Sequence, residues 1–197
     1  RASVWRRIAQ VLTDPNHLTA CAWSAAMMCA GFTVIPYITI YLQANAGMHP
    51  EQVPWVYLLG GMATLVTARI FGRLTDRVGK VKMFRHLALA VSIPLMATTL
   101  SEGLPLAALL LISTALFTMM SGRMIPGMAL ISSAVEPRLR GTFMTLNSAV
   151  QSAAMGMAAM VGGAIIGRDA QGHLTHYWVA GVIGVVASLV SVWLAGR

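Results

Sequence analysis

Tyr37, Arg123, Asn147 and Gln151 are polar side chains set inside long apolar stretches, at positions where they can meet a ligand or another helix. If the stretch around Arg123 crosses a bilayer, its charge costs about 2.5–3.5 kcal/mol on insertion scales. Arg123 must then face protein or water, or snorkel to the surface. Two roles fit it: a cavity arginine near a bound molecule, or a brace between helices. Asn147 and Gln151 stand at i and i+4 and share a helix face. Their amides can tie helices together, an effect of roughly 0.6–2 kcal/mol, or line a cavity. Tyr37, Tyr41 and Asn45 recur every four residues. The far end of that stripe is explained by an interfacial aromatic belt, which leaves the deeper Tyr37 as the cavity candidate. The chemistry on offer is recognition by hydrogen bonds and charge.

Bond-making chemistry has no foundation in the sequence. The six acids, Asp14, Glu51, Asp76, Glu102, Glu136 and Asp169, all fall near the ends of the apolar stretches or between them. The five histidines do the same, and no two have metal-ligand spacing backed by Cys or carboxylate. Cys21 and Cys29 lie eight positions apart on one helix face, too far along the axis for a disulfide, and read as small buried hydrophobes. There is no nucleophile–base arrangement, phosphate loop or nucleotide fingerprint, so neither an enzyme nor a cofactor is expected. No acid lies deep in an apolar stretch.

These residues must be held by membrane helices. The chain is 57% hydrophobic and only 10% charged, against roughly 25% charged in soluble domains. Crossing about 30 Å of hydrocarbon takes about 20 helical residues. Six segments qualify: 18–42, 53–71, 83–100, 104–134, 143–166 and 177–195. Charge in the connections fixes an orientation. Arg1, Arg6 and Arg7, then Arg73, Arg77, Lys80, Lys82 and Arg85, then Arg138 and Arg140, and finally Arg197 fall on one side; the other side has only Arg168. The net charge of +8 is therefore a positive-inside signal rather than a nucleic-acid footprint, and both termini are expected in the cytoplasm. Residues 1–16 read as a cytoplasmic amphipathic linker, with Val4, Trp5, Ile8, Val11 and Leu12 at helical spacing. Residues 17–197 form the bundle, and Asp14-Pro15 predicts a helix cap at its start.

The strongest local pattern is GRLTDRVGKVK, Gly72 to Lys82, expected as a loop between the second and third spans. In it Gly72 would permit close helix contact and Gly79 a tight turn. Asp76, with Arg73, Arg77, Lys80, Lys82 and the following Arg85 around it, would be paired. The segment resembles the G-x-L-x-D-R-x-G-[RK]-[RK] signature of the major facilitator superfamily, with Val81 departing at the last basic position. Ile35 to Gly47, with Tyr57 to Gly61, looks like helices seven and eight of bacterial efflux permeases. Arg140 to Gln151 is similar to the start of helix eleven, and Arg123 to Gly127 to an Arg-x-x-x-Gly element of helix four.

The resemblance covers nearly the whole chain. It implies an all-α membrane protein: a six-transmembrane-helix bundle, half of a major-facilitator-type fold, corresponding to helices seven to twelve. The implied function is proton-coupled export of a small molecule across the bacterial inner membrane. Partners would be the lipid bilayer, an N-terminal six-helix half, the substrate and protons, with no nucleic acid. Gly72, Asp76, Arg77, Gly79 and Lys80 would form the cytoplasmic gate; Arg123, Tyr37, Asn147 and Gln151 would line the cavity. A start at Arg1 rather than Met fits a piece of a longer chain. Two alternatives stay open: a six-span protein that pairs with its own copy to make a transporter or pore, and a membrane-embedded enzyme or assembly partner. No internal repeat is legible.

Overall fold

The computed structural model describes residues 4–133 and 135–195, with the side chains of Val4, Trp5 and Arg7 left aside. Arg1, Arg197 and Ala134, the last residue of the expected fourth span, lie outside the described residues. A short helix α1 (Val4–Thr13) precedes α2 (Pro15–Phe32), which the Asp14 carboxylate caps by accepting from Asn16 N at 2.8 Å. Among the described residues, six helices or helix pairs are long and apolar enough to cross a membrane: Pro15–Ala44, Pro50–Val78, Lys80–Thr99, Leu106–Ser133, Arg140–Ile165 and Tyr177–Leu194.

Proline divides two of these spans by the same physics. Proline lacks an N–H and its ring crowds the carbonyl four residues back. Counting back from Pro36 gives Phe32, where α2 ends; a 3₁₀ turn at Ile35–Tyr37 then leads into α3 (Ile38–Ala44). Counting back from Pro94 gives Ala90, where α5 (Lys80–Ala90) ends before α6 (Ser92–Thr99). The remaining helices are α4 (Val53–Val78), α7 (Leu106–Ser133), α8 (Arg140–Ile165) and α9 (Tyr177–Leu194). Pro126 lies inside α7 without interrupting it.

The bundle has a closed back and an open front. At the back, α9 packs on α2, α5 and α6, while α5 and α6 pack on α7. Lipid offers helices no hydrophobic reason to associate, so small residues that permit close approach decide the contacts. A Cβ on Gly184 of α9 would come 2.7 Å from the Ala30 carbonyl oxygen of α2. Hydrogen bonds add to this: Ser188 Oγ donates to Ala88 O at 2.7 Å and the Tyr177 hydroxyl to Val34 O at 2.9 Å. At the front, α4 rests on α7 and α8 on α2 as two wings. Phe117 seats on Gly60 and Phe71 on Gly122 in one wing; Gly162 meets the Thr33 backbone in the other. The centres of the wings, α2 and α7, touch one another little. A cleft runs between them.

Two clusters of buried side chains close the ends. One joins Val11 of α1 to Trp23, Phe84, Ile131 and Phe143 at the end where α1 lies. The other gathers Ile38, Tyr41, Leu95 and Tyr177 towards the opposite end. There a two-stranded hairpin, β1 (Gly167–Arg168) against β2 (Leu174–Thr175), links α8 to α9. Asp169 holds its turn, its Oδ1 accepting from Gln171 N at 3.0 Å and His173 N at 2.8 Å. Desolvation, the largest single influence, raises the Asp169 carboxyl, but those N–H groups and the His173 imidazole together outweigh it and hold the acid below its ordinary range.

The basic segment differs from its expected form in three ways. It is helical: α4 continues to Val78, because nothing in RLTDRV breaks a helix, and only Gly79, at φ 94, ends it before α5. Gly72 makes no close helix contact, since a Cβ built on it meets nothing within 4 Å. Asp76 is exposed and has no ion pair or hydrogen bond among the described residues. Surface pairs are worth roughly 0–1 kcal/mol, too little to hold long basic side chains against it.

Candidate functional site

The cleft encloses a cavity of about 580 Å³. Each wing contributes two helices. From α2 come Met27, Met28, Gly31 and Phe32, and from α8 Gln151 and Met155. From α4 come Tyr57, Gly60, Gly61 and Thr64, and from α7 Phe117, Met120, Ser121, Arg123 and Met124. The wall is mostly thioether, aromatic ring and glycine, and among the described residues no carboxylate lines it.

Arg123 does not snorkel. It is 3% exposed and lies only three residues past the middle of the 28-residue α7, about 5 Å along the axis. Its Nη2 donates to Met27 O at 2.7 Å, so the side chain bridges α7 to α2 across the floor of the cleft. Its Nε and Nη1 are buried and have no hydrogen-bond partner among the described residues. One nitrogen of Arg123 thus braces two helices, and two are left over. The amide nitrogen of Gln151 is likewise buried and unpartnered. Arg123 and Gln151 are brought to one cavity from opposite wings.

Asn147 and Tyr37 are occupied elsewhere. Asn147 is 2% exposed, and its Oδ1 accepts from Ser24 Oγ at 2.6 Å, joining α8 to α2 behind the cleft. The Tyr37 hydroxyl donates to Ala159 O at 2.7 Å, and its ring lies over Gly162 and Gly163. Neither residue lines the cavity. Asn45, the end of the tyrosine stripe, pairs with the backbone of Leu174, donating to its carbonyl at 3.1 Å and accepting from its N–H at 2.9 Å. It copies a strand neighbour and fastens the hairpin to the first span.

Of the five residues expected at the gate, Gly79 makes the α4–α5 turn and Lys80 reaches α7, its Nζ 3.4 Å from Ala129 O near the helix C-terminus. A cation is favoured there by the helix dipole. Gly72 is half-buried, while Asp76 and Arg77 point to the outside of the bundle.

Sequence reasoning passed over the methionines. Met120 and Met124 stand four apart on α7, and Gln151 and Met155 four apart on α8, so each pair shares a face. That spacing, read together with Arg123 and Gln151, is a signal for one wall. Ser24 carried no such signal, since its partner is 123 residues away.

Against known proteins, the model of the Major Facilitator Superfamily matches residues 20–197 of this chain. No curated protein and no solved structure gives a significant match.

Proposed function

The chain belongs to the major facilitator superfamily, a multi-pass membrane protein of a transporter family, and we propose that it is the C-terminal six-helix half of a secondary active transporter that exports a small molecule. The observation that carries this reading is the cleft between the wings, with Arg123 and Gln151 directed to it from opposite sides. Buried ionisable groups with unused hydrogen-bonding capacity mark substrate and ion pathways in membrane proteins.

A second six-helix bundle completes the pathway. Two features support it. Helix α4 exposes large residues over most of its surface, among them Met62 at 57%, Leu65 at 76% and Val66 at 66%. Helix α8 leaves Ser148, Ser152 and Gly156 uncovered at four-residue spacing, a small and polar face suited to another helix rather than to lipid. The two bundles rock about the cleft, which opens alternately to each side. The basic end of this bundle, with Arg73, Arg77, Lys80, Lys82, Arg85, Arg138 and Arg140, faces the cytoplasm of a bacterial inner membrane. There the α4–α5 turn acts as the gate, with Lys80 tied to α7 and Asp76 and Arg77 free to meet the partner bundle. Proton uptake drives export through a carboxylate of that bundle. By sequence the chain resembles the efflux permeases of drugs and sugars.

The test is transport in proteoliposomes holding the full-length protein. Arg123→Ala and Gln151→Leu each reduce kcat/KM for transport, Arg123→Ala by at least tenfold. Unchanged kinetics in both variants overturn the assignment of the cleft. A functional dimer of the six-span chain alone, without a second kind of bundle, overturns the two-half arrangement.

A further inference from the structure

We propose that the cleft selects an amphipathic organic anion: an aromatic or branched aliphatic body carrying one carboxylate, sulfonate or phosphate head. This rests on the reading of the cleft as the substrate site and names the class of molecule it takes.

The fully buried polar atoms left unsatisfied in the cavity are all nitrogen donors. Arg123 has N–H groups at Nε and Nη1 without a partner, and Gln151 has its amide nitrogen. Arginine has no acceptor to offer at any pH met in a cell. The other lining hydroxyls are few, and that of Thr64 is spent on Gly60 O at 2.7 Å within its own helix. A ligand that satisfies this wall brings acceptors. It also brings negative charge, because none of the described residues this bundle gives the cavity is an acid that could pair with Arg123. Charge-assisted bonds from a guanidinium to an oxyanion are roughly twice as strong as neutral ones. An organic cation in the same place meets an uncompensated like charge.

The rest of the wall describes the body of the ligand. Met27, Met28, Met120, Met124 and Met155 line the cavity with thioethers, and Phe32, Phe117 and Tyr57 add rings. Methionine is unbranched and polarisable, so such a wall adapts to apolar shapes and favours aromatic ones. A sugar requires a ring of directional hydrogen bonds, and this wall has too few polar side chains to make one. Apolar body and anionic head are therefore read by different side chains of one cavity.

The probes are anthracene-9-carboxylate, its neutral methyl ester and the cationic 9-(aminomethyl)anthracene. Binding to the full-length protein in nanodiscs is measured with empty nanodiscs subtracted. The carboxylate binds at least tenfold more tightly than the ester or the amine. Arg123→Gln abolishes that preference and leaves ester affinity within threefold, which also reports that the cleft is intact. Arg123→Lys keeps part of the preference, and Gln151→Leu weakens the carboxylate selectively. Equal or tighter binding of the amine overturns the proposal, as does a carboxylate preference that survives Arg123→Gln. If Arg123→Gln does not fold, Gln151→Leu decides: carboxylate affinity unchanged there overturns the proposal. Arg123-dependent carboxylate binding in a protein that transports nothing sinks the transport reading and leaves this one standing. Transport through the cleft with no preference for the anion does the reverse.

Discussion

Adding one methyl group at Gly122 tests whether the α4–α7 wing is held by interlocked rings. A Cβ at this position would lie 2.5 Å from both Cδ2 and Cε2 of Phe71. Ordinary carbon contacts begin near 3.5 Å, so the ring or the helix must retreat by about 1 Å. Overpacking of this kind costs roughly 1–3 kcal/mol. Against it stands helix propensity, since Ala is favoured over Gly by about 1 kcal/mol inside a helix. Gly122→Ala therefore destabilises by a net of about 0–2 kcal/mol in the native background. With Phe71→Ala already present, the clash is gone and the same change stabilises by up to about 1 kcal/mol. The double-mutant cycle should give a coupling of about 1–3 kcal/mol. Unfolding in mixed micelles of dodecyl sulfate and maltoside, followed by tryptophan fluorescence, measures it. Gly72→Ala is the control: nothing lies within 4 Å of its Cβ, so only the propensity gain applies. Coupling below about 0.5 kcal/mol, or a loss at Gly72 as large as at Gly122, refutes the packing argument.

Removing Ser24 Oγ with Ser24→Ala leaves the Asn147 acceptor buried without its 2.6 Å bond. The same unfolding assay should show a loss of roughly 0.6–1.7 kcal/mol, with carboxylate-probe affinity unchanged because the pair lies outside the cavity. Asn45→Ala removes both bonds to Leu174 and should speed amide exchange at Leu174 and along β2 while leaving α9 protected; unchanged exchange there contradicts the fastening role. Asp169 has a folded-state acidity below its unfolded value, so its contribution is present above the ordinary range near 3.8 and is lost as pH falls through the lower folded value. Exchange protection at the His173 N–H should therefore persist at neutral pH, collapse in acid, and be absent at all pH values in Asp169→Ala.

How much of this was legible in the sequence follows from the range of each interaction. The spans were legible because bilayer solvation acts on every residue of a segment and adds up along 20 of them. Their ends were less so. The basic segment after Phe71 looked like a connection because charge and helix end usually coincide at a membrane surface, but a helix continues into water until a residue such as Gly79 stops it. Arg123 and Gln151 could be singled out because polar atoms in apolar runs are conspicuous. Their convergence on one cavity could not, since it depends on how α7 and α8 are rotated about their axes. Tyr37 looked the same from sequence as a cavity residue would, and only the position of Ala159 O shows its hydroxyl already engaged. Asn45 belonged to a periodic stripe for a different reason from its neighbours, a pairing with the backbone of strand β2, 129 residues away.

The central claim is that the cleft between the two wings is the route of transport. Gly61→Cys places a thiol on its wall without crowding, since nothing lies within 4 Å of that Cβ. With Cys21 and Cys29 replaced by Ala in the full-length protein, a membrane-impermeant methanethiosulfonate reagent should label Gly61→Cys and stop transport in proteoliposomes. The same label on Gln171→Cys, in the exposed hairpin turn, should leave transport intact. Complete labelling of Gly61→Cys with transport undiminished, or no labelling from either side of the membrane, contradicts the account.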